Sequence, residues 1–178
     1  LNVTEATVLI SGLDEYDQIA NIIVNIDGKF ADQLAYLDHK PLEYPSAIGI
    51  DSKTIQGEAE TELKLNFIVE NKLSLDDIRV SSRSRVINLK ASKILLGRDI
   101  NGGEINIKID KKGMDVSGLV NIGTMPTALS WRDNFNDEAS FRRHYNLKTH
   151  ISDTTKVTDL NLDFAPFANV APLHRKPA

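Results

Sequence analysis

The sequence predicts a mostly β protein: a long curved antiparallel sheet, laid out as a groove-like meander, with one or two short helices. Three observations carry this. The stretch 55–69, IQGEAETELKLNFIV, puts Ile55, Gly57, Ala59, Leu63, Leu65, Phe67 and Val69 at odd positions, interrupted by Thr61, with polar residues at the even positions as far as Asn66. A period of two held that far is a strand with one wet and one apolar face, about 50 Å long at ~3.3 Å per residue. Shorter alternating runs recur on both sides of it between turn residues, while only two stretches carry helical spacing. Successive strands joined by short turns make a meander.

Taken in order, residues 3–12 alternate (Ala6, Val8 and Ile10 against Thr7 and Ser11) and read as a strand, closed by a turn at 13–15. Residues 19–27 carry Ile22, Val24 and Ile26 on one face, and Gly28 breaks the period. Residues 29–40 fit a short helix, with Phe30, Leu34 and Leu37 at i, i+4 and i+7; Asp27 is the expected N-terminal cap and Pro41 the stop. An irregular connection at 41–53 leads into the long strand. After a turn at Asn71 and Lys72, residues 76–89 alternate again, with Ile78, Val80, Ser82, Ser84 and Val86 opposite Arg79, Ser81, Arg83 and Arg85. Residues 91–96 either continue this strand or form another, and GRDINGG at 97–103 reads as a loop. Ile105, Ile107 and Ile109, a turn at 111–113, then Met114, Val116, Gly118, Val120 and Ile122 form a hairpin. Thr127, Leu129 and Trp131 make a short run, 133–140 a polar loop, and 141–151 a further strand carrying Arg143, Tyr145, Leu147 and Thr149 on one side. Residues 152–160 suit a second short helix, and the proline-bearing end reads as a frayed terminus.

Residues 1–170 are expected to form one segment and 171–178 a tail, a length at which a core is attainable. A net charge of −4 gives no basic face for nucleic acid. The absence of cysteine excludes disulfides, thiol chemistry and cysteine-type zinc sites. No run approaches the roughly 18 apolar residues of a membrane span, and no signal peptide pattern opens the chain. It starts at Leu1 in mid-pattern, and the expectation is a piece of a longer protein.

Catalytic constellations are not legible, and no enzyme activity, metal or cofactor is expected. His144 and His150 share a strand face but lie six residues apart, about 20 Å at ~3.3 Å per residue, too far for one metal. Asp76 and Asp77 sit at a turn, where aspartate serves the backbone, and no partner carboxylate marks a hydrolase cleft. Arg79, Arg83, Arg85, Arg142 and Arg143 would hold phosphate headgroups if they clustered; the alternative is a charged outer face balanced by Glu58, Glu60 and Glu62. GRDINGG matches neither a Walker loop nor a dinucleotide fingerprint. What remains is the apolar face, read either as an ordinary core buried against other elements or as a trough left open for an acyl chain. Two short helices offer little to roof so much strand.

Three segments carry a family resemblance: YPSAIGIDSKTIQGEAETELKLNF, LSLDDIRVSSRS and INIKIDKKGMDVSGLVNIGTMPTALSWRDNF. With GEA at 57–59 opening the long strand, LDD at 75–77, the KKGMDVSG hairpin and the G-x-x-P-x-x-L-x-W run at 123–131, the chain resembles the AsmA-like domain of bacterial envelope proteins over residues 28–164. The resemblance implies a repeating-β-groove, bridge-like lipid transfer protein. Such a protein is anchored in the inner membrane of a Gram-negative bacterium by a helix outside the present sequence, and it crosses the periplasm as a long β-sheet. Its apolar side carries phospholipid acyl chains between inner and outer membrane, with no cofactor and no catalytic residue. Neighbouring repeats of the parent chain and an envelope protein are the further partners implied.

Each buried methylene of a lipid tail contributes roughly 0.8 kcal/mol, so a continuous trough lets a lipid slide without re-exposing its chains. The expected lining is Ala59, Leu63, Leu65, Phe67, Ile78, Val80, Ile105, Ile107, Ile109, Val116, Val120, Leu129, Trp131, Tyr145 and Leu147, with Phe30, Leu34 and Leu37 plugging one end or capping the core. Ser82 and Ser84 set polar atoms on this face and bring the end of the trough, or the register there, into question. The alternative function is a β-rich envelope scaffold or protein-interaction module with a closed core and no conduit.

Overall fold

The structure is a computed structural model that describes residues 1–14, 17–39, 45, 50–74, 77–95, 97–135 and 142–149. Its strands are β1 (Asn2–Ser11), β2 (Ile19–Lys29), β3 (Ile55–Ile68), β4 (Arg79–Leu95), β5 (Arg98–Asp110), β6 (Gly113–Ile122), β7 (Met125–Asn134) and β8 (Arg143–Thr149). They form one open antiparallel sheet in which spatial order equals chain order, β1 through β8. The single described α-helix, α1 (Phe30–Leu37), follows β2 directly, and a 3₁₀ turn at Ser52–Thr54 precedes β3. The mostly β class and the meander therefore stand as the alternation indicates.

Local chemistry explains the joints. The β5–β6 hairpin turns at Lys111 and Lys112, where the Asp110 carboxylate accepts hydrogen bonds from the backbone N–H of Lys112 (2.7 Å) and Gly113 (3.2 Å). Such an aspartate turn fixes register without a tertiary partner. The approach to β4 is organised the same way: the Asp77 carboxylate accepts from the Ser74 N–H (3.0 Å) and hydroxyl (2.7 Å). These bonds favour the ionised form and hold Asp77 below the usual carboxylate range.

Several expectations need correction. The helix is shorter than 29–40, and its N-cap residue is Lys29, which makes no side-chain cap bond, so Asp27 does not cap it. Asp27 instead pairs within β2, which runs on through Gly28 to Lys29. The segment 97–103 is not a loop, because β5 begins at Arg98, paired with Leu95. Its glycines are bulge residues: Gly102 and Gly103 have φ of 116° and 133°, and the β5–β6 register shifts between Ile100 and Gly103. A matching bulge in β4 at Asn88, φ 54°, sets Asn88 and Leu89 against Gly57. One extra residue reverses the alternation, so Leu89, Ala91 and Ile100 are buried while Ile87 is exposed. At the far end, Asp133 and Asn134 belong to β7 rather than to a polar loop. The expected second helix at 152–160 and the tail at 171–178 lie outside the described residues.

Candidate functional site

The registers assemble one apolar face from rows of directly opposed residues. Nearest the β1–β2 and β3–β4 turns, Ile10, Ala20 and Phe67 stand in line, then Val8, Ile22, Leu65 and Val80. The next row is Ala6, Val24, Leu63, Ser82, Ile109, Met114, Asp133 and Arg143. Below it run Ile26, Thr61, Ser84, Ile107, Val116, Trp131 and Tyr145, and below that Gly28, Ala59, Val86, Ile105, Gly118, Leu129 and Leu147. Val120 sits lower still, between Gly103 and Thr127. Of the fifteen lining residues named from sequence, all but Ile78 thus fall on this face; Ile78 is half-buried just ahead of β4.

The face is not uniform. Ala59, Ile105, Ile107, Val116, Val120 and Leu129 are buried in one cluster with Val86, Met114 and the helix residues Phe30 and Leu34. Ile109, Trp131, Tyr145 and Leu147 pack against its border. Leu63, Leu65 and Phe67 are only half-buried, and Val80 is exposed. Every residue of β1 is exposed, Val8 at 61% and Ile10 at 43%. An uninterrupted trough across all strands is therefore not what the fold provides: the face is closed over the lower rows of β3–β7, open over β1, and partly open over the upper rows of β2–β4. The lining named from sequence omitted Val8, Ile10, Ile22 and Val24, although the same alternation marks them.

The boundary between the two parts is polar. Gln33 of α1 is buried; its amide nitrogen donates to the Ala59 carbonyl at 2.9 Å, and its amide oxygen lies 2.6 Å from the Thr61 hydroxyl. Thr61 and Ser84 are directly opposed, with their hydroxyls 2.8 Å apart. Since the Gln33 oxygen only accepts, Thr61 donates to it and receives the Ser84 proton. Ser84 is thus half of a bar that pins α1 across the apolar face, whereas Ser82 stands between Leu63 and Ile109 in the row above.

The border beyond β6 is closed differently. Asp133 is 1% exposed and accepts from Arg143 Nε at 2.8 Å. Trp131 and Tyr145 stack with ring centroids 5.4 Å apart, and the buried indole Nε1 has no hydrogen-bond partner among the described residues. Burial pushes the Tyr145 phenol above its usual range, with Arg143 beside it pulling the other way.

The arginines do not cluster. Arg83 and Arg85 face Glu62 and Glu60 across the opposite side of the sheet, and Arg79 faces Asn66. Arg85 also holds Glu104 through two bonds, 2.8 and 3.1 Å, which raises the guanidinium and lowers the carboxylate. Arg132 pairs with Asp115 on this polar side, while Arg143 belongs to the apolar one. A shallow depression of about 480 Å³ lies between these strands, where Asp27, Glu60 and Glu62 balance Arg83, Arg85 and Lys108. His39 and His144 are exposed, and His150 and His174 lie outside the described residues. Among the described residues no group of His, Asp and Glu could hold a metal ion, and no helix is long and apolar enough to cross a membrane. Compared with known proteins, the chain matches no family model, no curated protein and no solved structure.

Proposed function

We propose that the chain shields phospholipid acyl chains against the open part of its apolar face. It would do so as a segment of an inner-membrane-anchored periplasmic protein that moves lipid between inner and outer membrane. The observation that carries the acyl-chain reading is the composition of the upper three rows over β1–β4. They hold Ala6, Val8, Ile10, Ala20, Ile22, Val24, Leu63, Leu65, Phe67 and Val80, with Ser82 the sole polar side chain and no charge. Ala6, Val8, Ile10 and Val80 are exposed and the others half-buried, apart from buried Ala20, and a contiguous apolar patch left partly in solvent marks an interaction surface. Without polar groups to orient a ligand, it suits a partner recognised by hydrophobicity alone. Residues at one level of neighbouring strands are chemically equivalent, so a tail lying along the strands can step sideways at little cost. The periplasmic setting and the two membranes are supported by the resemblance of the three quoted segments.

A second reading, the closed-core envelope scaffold, draws on one observation: Ile107, Val116, Val120 and Leu129 are buried by the protein itself. One experiment separates the two. The purified protein is incubated with phosphatidylethanolamine vesicles and examined by native mass spectrometry. Retained phospholipid that is lost in Leu65→Asp, with the circular dichroism of the fold unchanged, supports the acyl-chain reading. A lipid-free protein, or equal lipid on both forms, supports the scaffold.

A further inference from the structure

We infer that the edge of β1 takes an added strand: an extended segment of a partner protein that alternates apolar with polar residues and carries lysine or arginine. The site is the edge of the sheet rather than its apolar face, so it stands apart from the acyl-chain reading.

The edge is open and unguarded. Among the described residues β1 pairs with β2 alone, so every second residue of β1 turns its backbone N–H and carbonyl away from the sheet. Sheet edges are ordinarily protected by lysine, by proline or by being very short. β1 is ten residues long, reads NVTEATVLIS, and contains no lysine, arginine, proline or glycine. A bulge between Val3 and Glu5 breaks its regularity at one end. Residues 5–11 remain as the regular run, about 23 Å at ~3.3 Å per residue. At the other end of the strand order, β8 holds Arg143, His144 and Lys148 within seven residues, the usual kind of protection.

Register fixes what the added strand presents. Every neighbouring pair in the sheet is antiparallel, and an antiparallel addition continues that order. Residues opposite Ala6, Val8 and Ile10 then extend the apolar face and are best apolar themselves. Residues opposite Glu5, Thr7, Leu9 and Ser11 fall on the other face. Glu5 is the one charge on β1, and the position directly across from it favours a cation.

Charge also separates a foreign strand from a second copy of this chain. Residues 1–70 hold thirteen Asp and Glu against four Lys and Arg, a net −9, whereas residues 71–178 hold twelve against seventeen, a net +5. Pairing β1 with β1 of a second copy would set two regions of −9 side by side, and like charge suppresses such an encounter. A basic segment is drawn to the same edge. Once there, main-chain hydrogen bonds supply affinity and the alternating side chains supply selectivity.

The test is fluorescence anisotropy of a labelled, end-capped seven-residue peptide that alternates threonine with valine and ends in lysine, titrated with the intact chain. Laid antiparallel, its valines fall opposite Ile10, Val8 and Ala6, and its lysine opposite Glu5. It should bind about fivefold more tightly than the same peptide ending in glutamate, and about 0.5 M salt should remove the difference. Glu5→Lys should reverse the preference. N-methylation blocks a backbone donor, so of two versions methylated either on the valines or on the threonines, one should lose binding and the other keep it. Absence of binding, equal binding of the lysine and glutamate peptides, or an equal response to both methylations overturns the inference. A chain that sediments as a dimer and releases the peptide as it dimerises puts a second copy on the edge, and overturns it too.

Discussion

The same face of the same sheet behaves in two ways. In the lower rows of β3–β7 its side chains are sealed, with Val86 at 0% and Val120 at 1% exposure. Over β1 they face outward, with Val8 at 61%, and in the upper rows of β2–β4 most are half-buried or exposed. The alternation that produces both is identical, so it assigns a side chain to a face and says nothing of whether that face is covered. Cover comes from elsewhere. The helix lands on β3 because it leaves β2 without a connecting loop, and the Gln33 amide reaches the Ala59 carbonyl. The bulges at Asn88 and Gly102–Gly103 turn Leu89, Ala91 and Ile100 inward beneath it. The helix also touches β2, whereas every residue of β1 stays exposed.

The sharpest way to break the contrast is to place one charge in each half. Val120→Asp sets a carboxylate in a sealed site without a partner, and we expect a loss of several kcal/mol or failure to fold. Val8→Asp should stay within about 0.5 kcal/mol. Urea unfolding midpoints measure both, and comparable losses would mean that β1 is covered after all.

Packing tolerance should divide in the same place. Gly118 stands between Ile105 and Leu129, and a Cβ there would lie 2.7 Å from the Ile105 Cα and closer still to the Glu104 carbonyl oxygen. That contact is with backbone and cannot be relieved by a rotamer change, so Gly118→Ala should cost about 1–3 kcal/mol. Ala6→Leu on the open strand should be close to neutral. Thermal unfolding of the two variants orders them, and an equal shift would erase the distinction.

The smallest effect concerns the sealed border. Tyr145 is raised in the folded chain, chiefly by burial. Its contribution to stability is therefore intact below the ordinary tyrosine value of ~10 and is lost as pH climbs through the folded value. Phenolate absorbance should show Tyr145→Phe deleting the latest-ionising part of the titration. A deletion from the early part would mean that the border is wet.

How much of this was legible in the sequence follows from which forces are local. The strands of the 55–69 and 105–122 stretches could be read because a two-residue period needs no tertiary information. The turn at 111–113 could be read because a turn is self-contained, while the Asp110 carboxylate that fixes it is seen only in the structure. The reversal after Val86 was not legible, since a bulge changes parity at a residue, Asn88, that carries no special signal. GRDINGG has the composition of a loop and becomes strand only because β4 and β6 flank it. The bar was visible only as an anomaly: Thr61 and Ser84 interrupted two apolar patterns, and no alternation could show that they face one another or that Gln33 meets them.

The strict neighbour-to-neighbour order of the strands has a consequence for how the chain comes together. Each strand closes against the one just made, so the contacts are short in sequence and the entropic cost of loop closure stays low. The two-residue connections from β4 to β5, β5 to β6 and β6 to β7 are the cheapest to close, which makes β4–β7 the natural seed. Assembly then spreads outward, reaching β1 last. The strand that meets solvent on both faces is the one whose loss the remainder would feel least.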